Sequence, residues 1–279
     1  MTLDNLYRQS FSLASTDIMP CMFIGHGSPM NALEENEFTN TWRNVSKGLP
    51  KPVAVVCISA HWETRGTYVT GELSPKTIHD FYGFPKELYM QEYLAPGDPS
   101  LAREITDNVT DYHIKESDEW GLDHGTWSVL KHLYPGANIP VIQISLDHFK
   151  DTSWHYDLGK QLSFLRSKGV LVIGSGNMIH NLRLLNIKEN DFNQEHGYDW
   201  AFEINMIQKK QIVDNNYKAL TSFDSLHKSA KLAIPTLEHY IPMLYILGLK
   251  KQNETVQFFN DKVIAGSLSM TSFIISNNE

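Results

Sequence analysis

Four short apolar runs punctuate the chain: residues 20–25 (PCMFIG), 52–59 (PVAVVCIS), 139–145 (IPVIQIS) and 169–174 (GVLVIG). Each is bounded by Gly or Pro and shows no polar alternation, which marks a strand covered on both faces. Longer segments with helical periodicity lie between them. Asp98 and Pro99 open one that runs to Asn108, with Asp98 suited to the cap and Pro99 to the first turn. Further helices are expected over 126–133, 153–167 and 198–213, and from Pro235 to Gly248. Residues 67–70 read as another strand, followed by a long aromatic-rich loop to about residue 96. The tail, 256–259 and 267–275, reads as a closing hairpin or edge strands. Buried strands alternating with amphipathic helices predict an α/β fold with a largely parallel sheet. No repeat or Pro/Gly-rich linker divides the 279 residues, so 1–279 is expected to be a single domain with an irregular N-terminal arm over 1–18.

Charge and composition narrow the function classes. The net charge is -8 and the longest basic run is Lys209-Lys210, which argues against nucleic acid as a partner. No apolar run reaches the roughly 18 residues of a membrane span. The first residues carry Asp4 and Arg8 in place of a signal-like apolar stretch, so a cytoplasmic protein is expected. Cys21 and Cys57 sit in strand-like runs and read as buried core thiols in a reducing compartment. Two cysteines exclude a Cys-rich zinc site, whereas twelve histidines raise the question of where they stand.

In open α/β sheets the ligand crevice lies beyond the carboxyl ends of the strands. His26 follows the first run between two glycines, His61 follows the second, and His180 follows the fourth after Gly174-Ser175-Gly176-Asn177. His239, in Pro235-Thr236-Leu237-Glu238-His239, is placed one turn into the last helix, and His124 just before the helix at 126–133. Neutral imidazole suits Zn, Fe, Cu and Ni, and its second nitrogen needs an acceptor, for which Asp123, Glu238 and main-chain carbonyls are candidates. His148 ends the third run beside Asp147 and is a weaker candidate. His79 stands in the aromatic loop, as a substrate-covering or a packing residue. His113, His132, His155, His196 and His227 read as helix-surface or loop residues. The Gly174–Asn177 turn lacks the continuation of a phosphate loop, and Ser28 before Pro29 is poorly placed as a nucleophile. The residues alone therefore point to a metal site and leave the reaction open.

Taken in order, the segments GHGSPM (25–30), SAHW (59–62), HDFYGFP (79–85), DHGTW (123–127), GNMIHN (176–181) and PTLEH (235–239) carry a resemblance. The chain resembles the DODA-type extradiol aromatic-ring-opening dioxygenases of the LigB-like class III group, and within it the bacterial 4,5-DOPA dioxygenase-like members. The match extends from about residue 20 to the end. The resemblance implies a three-layer α/β/α catalytic domain with a mostly parallel, mixed sheet and one divalent metal per chain, Zn(2+) or Fe(2+). It implies O2-dependent opening of a catechol such as L-DOPA beside its hydroxyls, by a monomer or small homo-oligomer. Carried over, His26, His61 and His239 match metal ligands, with Glu238 the alternative donor at the last position. His180 matches a metal-site histidine that is either a ligand or the acid/base, and His124 a catalytic histidine close to the metal. A zinc-dependent hydrolase and a non-catalytic metal-binding relative are the rival readings, because an open histidine site also activates water.

Overall fold

In the computed structural model, residues 18–189 and 191–277 are described; the arm expected over 1–18 lies almost entirely outside them. The strands are β1 (Cys21–Gly25), β2 (Ala54–Thr64), β3 (Tyr68–Thr70), β4 (Lys115–Ser117), β5 (Val141–Asp147), β6 (Val170–Gly176), β7 (Glu254–Phe259), β8 (Val263–Ile264), β9 (Leu268–Ser269) and β10 (Ser272–Asn277). Eight of them form one sheet in the order β4-β3-β5-β2-β6-β1-β10-β7. The four expected runs are its parallel centre, β5-β2-β6-β1, so their carboxyl ends share one edge. Antiparallel pairing enters at β3–β5 on one side and at β1–β10–β7 on the other, giving a mixed sheet. The tail is therefore half an edge: β7 lies outermost, and β10 is sandwiched between β7 and β1.

Side chains alternate across the central strands. Cys21, Phe23, Val56, Ile58, Val170 and Val172 enter the core on one face, and Met22, Ile24, Val55, Cys57, Leu171 and Ile173 the core on the other. The principal helices are α1 (Glu37–Gly48), α2 (Pro99–Asn108), α3 (His124–Leu133), α4 (Thr152–Gln161), α5 (Asp199–Val213) and α6 (Ile241–Gly248). Phe38 and Trp42 of α1 and Trp127 and Leu130 of α3 cover the second face. Leu101 of α2, Leu158 of α4, Ile204 of α5 and the apolar α6 cover the first. The result is the three-layer α/β/α arrangement. Cys21 and Cys57 are free and buried, and burial pushes the Cys21 thiol up to about 12, as suits inert core residues.

Several expectations need correction. Helix α1 has no counterpart among them. Its capping box pairs Asn36 with Thr39, so it lacks the Glu or Gln that makes such boxes conspicuous. The last helix starts at Ile241, not at Pro235. Pro242 has no N–H to bond back to Glu238, so it fits only the helix's first turn and His239 falls on the preceding turn. The helix expected over 153–167 is α helix only to Gln161 and tightens to a 3-10 segment, Leu162–Lys168, before Gly169. His132 and His155 are buried, not surface residues. The His132 ring bonds the Asn31 carbonyl oxygen at 2.6 Å, and Nδ1 of His155 lies 3.0 Å from the Tyr245 hydroxyl.

One ion pair locks the sheet's far end. Arg166 and Glu254 are fully buried together. The Arg166 guanidinium also donates to the carbonyls of Met19 (2.7 Å) and Leu249 (2.9 Å). Removing one member leaves the other charged and unmatched. Glu254→Ala is therefore expected to lower unfolding free energy by about 3–5 kcal/mol, read from the urea midpoint at unchanged slope.

Candidate functional site

The carboxyl edge of the parallel strands gathers five imidazoles. His26 follows β1, and Gly27, at φ +64, turns the chain sharply away behind it. His61 was expected just past its strand but lies within β2, where pairing with β5 slips between Ile58 and Glu63. That irregularity carries the ring to the sheet's edge. His124 is the first residue of α3, capped by Asp123, whose carboxylate accepts from the Thr126 N–H. The His180 N–H donates to the Ala233 carbonyl at 2.9 Å, and the Asn177 N–H to the His239 carbonyl at 2.9 Å. These two bonds pin the segment after β6 against the turn that carries His239.

Hydrogen bonds behind the rings fix which nitrogens face inward. The Ser175 hydroxyl donates to the Gly125 carbonyl at 2.6 Å, so toward His26 Nδ1, at 2.9 Å, it can only accept. His26 thus carries its proton on Nδ1 and presents a bare Nε2. Asp80 Oδ2 lies 3.2 Å from His61 Nδ1 and 2.9 Å from His124 Nδ1, and a carboxylate only accepts. His124 Nδ1 makes the hydrogen bond to Asp80, and the same carboxylate beside His61 Nδ1 favours the His61 tautomer whose Nε2 is bare. Glu238 Oε1, 3.1 Å from His239 Nδ1, does the same for His239 while also accepting from Thr236. Burial, reinforced by the crowding of neighbouring rings, holds His26 and His239 well below the ordinary imidazole pKa and pulls His61 down to about 3. Burial likewise brings His180 to about 4. The rings are neutral at pH 7, the form that binds metals.

His26 Nε2 and His61 Nε2 face each other 3.2 Å apart. His26 keeps its proton on Nδ1, so without a metal this contact is a hydrogen bond only when His61 carries its proton on Nε2; the tautomer with the proton on Nδ1, toward Asp80, leaves two bare nitrogens. Nitrogens at that separation match the chord across a cation bound at about 2.0–2.1 Å with an angle of roughly 100°. Ring nitrogens of His26, His61 and His124 form one compact donor group, and His180, Glu238 and His239 another. The His239 ring centroid stands 5.3 Å from that of His26 and 5.0 Å from that of His61. His180 stacks flat on His239, centroids 3.5 Å apart and planes 9° apart. In-plane lone pairs of two stacked rings do not converge. Neutral imidazoles gathered this closely fit a divalent cation: His26, His61 and His124 form the compact group at the edge, and His239 and His180 flank it.

The remaining candidates sort clearly. His148 is exposed on the turn after β5 and belongs to neither donor group. His79 packs its loop: Nε2 lies 2.8 Å from the Gln91 carbonyl and its ring meets the Trp127 ring edge-on. Asp123, expected to orient a histidine, is instead enclosed by α3 and by the side chains of Ser59 and Gln143, and burial raises its pKa. The orienting acid is Asp80, which the residue pattern did not single out. Burial alone would raise the Asp80 pKa, but the His124 hydrogen bond and the facing rings bring it below the ordinary carboxylate range. Its backbone neighbour His79 and the aromatic segment around it were the available signal. Asp80→Asn keeps the shape and loses the charge, so metal affinity or turnover is expected to fall roughly 10–100-fold, measured by metal titration beside steady-state rates.

The imidazoles floor a cleft of about 540 Å³ whose walls include Phe81, Phe84, Leu182, Leu185, Phe192 and Leu268. Neutral nitrogen donors beneath an aromatic-walled cleft are the form of a metal-dependent enzyme acting on a flat, apolar substrate. The family model for the catalytic LigB subunit of aromatic ring-opening dioxygenase matches residues 20–269. The chain is 40% identical over 269 residues to a 4,5-DOPA dioxygenase extradiol of Escherichia coli (strain K12), covering 93% of this chain and 96% of that protein. It is 33% identical over 266 residues to a 4,5-DOPA dioxygenase extradiol of Beta vulgaris, covering 92% and 96%. The crystal structure of an uncharacterized protein from Escherichia coli K12 matches with a TM-score of 0.80 and 37% identity, covering 92% of this chain and 100% of that one. The chain belongs to the LigB family of extradiol aromatic-ring-opening dioxygenases. Among the described residues no helix is long and apolar enough to cross a membrane.

Proposed function

We propose that the chain, working as one catalytic domain, opens a DOPA-like catechol with O2 at a single divalent metal held by His26, His61 and His239. The two Nε2 atoms 3.2 Å apart, with His26 protonated on Nδ1 and Asp80 beside His61 Nδ1, carry this reading. Ferrous iron would supply the redox chemistry that O2 requires, whereas zinc has none and would only occupy the site. Glu238 is committed to His239 Nδ1 and orients that ligand, which favours His239 as the donor at this position.

The chain's own groups do the rest. The apolar walls hold the ring and thin the water around it. His180 is neutral and stands off the donor set, so it accepts the phenolic proton as the catechol binds and returns it later. Were zinc bound instead, His180 would be available as a further donor. His124, its Nδ1 proton held by Asp80, presents Nε2 as a fixed acceptor for a substrate hydroxyl. His180→Ala is expected to lower turnover about 10²–10⁴-fold, the range of a lost general base, while iron stoichiometry stays near that of wild type. Loss of iron along with activity would make His180 an obligatory ligand.

A further inference from the structure

The cleft that holds the catechol ring must also receive whatever the ring carries. Among the described residues that line it there is no Lys or Arg. The acids lining it are Asp80, committed to His61 and His124, and Glu34. Glu34 follows the 3-10 turn Pro29–Ala32, which begins three residues after His26, and its N–H donates to the Met30 carbonyl at 3.0 Å. That turn also supplies Pro29 and Met30 to the cleft wall, so Glu34 stands on the same wall as the floor's first histidine.

The Glu34 carboxylate is held but not neutralised. The side-chain amides of Asn36 (3.3 Å) and Asn193 (2.9 Å) both donate to Oε2. Among the described residues Oε1 receives no hydrogen bond and no cation pairs with the group. Bonding through its amide nitrogen fixes the Asn193 side chain with Oδ1 as an acceptor, and that buried oxygen has no donor. Glu34 Oε1 is therefore the acceptor left open at this corner, and among the described lining residues there is no positive charge. A carboxylate tail would meet repulsion there, a neutral tail nothing, and an ammonium a charge-assisted hydrogen bond.

We infer that Glu34 selects the tail of the substrate, and that this enzyme prefers catechols bearing an alkylammonium group to those bearing a carboxylate. The inference rests on the catechol reading of the same site. An amino-acid tail brings one group that Glu34 attracts and one it repels, so the decarboxylated amine is the better ligand.

Three probes of equal ring and near-equal length test this on the iron-loaded full chain: 2-(3,4-dihydroxyphenyl)ethylamine, 4-ethylcatechol and 3-(3,4-dihydroxyphenyl)propionate. Dissociation constants are read anaerobically by calorimetry, and KM and kcat in air. Wild type is expected to bind the amine at least about tenfold more tightly than the neutral probe, the ratio of one charge-assisted hydrogen bond, and the acid most weakly. Glu34→Gln keeps an acceptor for both asparagines. It should raise Kd and KM for the amine about tenfold with kcat little changed, and leave 4-ethylcatechol unaffected. Equal or tighter binding of the acid by wild type would overturn the inference, including a preference abolished by Arg183→Ala at the exposed turn beside Leu182. So would an equal loss for all three probes in Glu34→Gln, which is the mark of a merely structural residue. If no probe is cleaved in air, the dioxygenase reading fails, while the anaerobic binding order still decides the role of Glu34.

Discussion

His26→Ala yields a folded protein that keeps little metal and opens catechols at least about 10³-fold more slowly, beyond the roughly 10–100-fold attached to a ligand's outer partner. The reason lies in the tautomer chain. Ser175 gives its proton to the Gly125 carbonyl and so forces His26 to keep its own on Nδ1. The Nε2 lone pair left over faces Nε2 of His61 at 3.2 Å, and alanine removes half of that pair. His26 is buried but contributes little apolar packing, so the loss shows in metal content before it shows in stability. Metal analysis and single-turnover rates on the same preparation check this. A variant that retains full iron and fails only in turnover would remove His26 from the ligand set.

Gly176→Ala is expected to cut kcat/KM by about 10²-fold, the penalty for misplacing a reacting group by about an ångström, although residue 176 donates no atom to the metal. A Cβ at this position would overlap the main-chain carbonyl oxygen of His239, and main chain cannot swing aside as a flexible side chain does. The Asn177 N–H donates to that same carbonyl, so the turn is pressed from β6 and held there at once. The added methyl must displace the turn, and the His239 ring and its Glu238 partner move with it. Steady-state kinetics with metal titration detect the change, and a thermal melt separates it from unfolding. Wild-type kinetics in this variant would show that the turn has slack.

The sequence reading was most accurate where a residue's neighbours in the chain are also its neighbours in space. The central strands were legible because burial on both faces demands unbroken apolar runs, and residues 52–59 and 169–174 are such runs. His26 and His180 are legible because they follow such runs, 20–25 and 169–174, at the crevice edge. His61 was placed one step wrong, since the β2 irregularity that aims it depends on pairing with β5, a strand far along the chain. Asp80 was not singled out at all: its partners His61 and His124 are distant in sequence, and only the fold brings them to one carboxylate. The turn that bears His239 reads as helix in the sequence because Pro235 and Pro242 are equally good helix openers, and packing against β6 decides between them. His239 and His124 stand in the residue pattern but take firm roles only from the family resemblance, and the structure brings both to the cluster at the edge of the sheet.

The most direct test is isotopic. Full-length protein reconstituted anaerobically with ferrous iron is mixed with a catechol and then exposed to 18O2, and O2 uptake and product mass are followed together. Extradiol cleavage at the histidine-bound metal predicts equimolar consumption of O2 and catechol, with both oxygen atoms first appearing in the ring-opened product. Absence of O2 uptake with every catechol offered, in protein shown to hold iron, would contradict it.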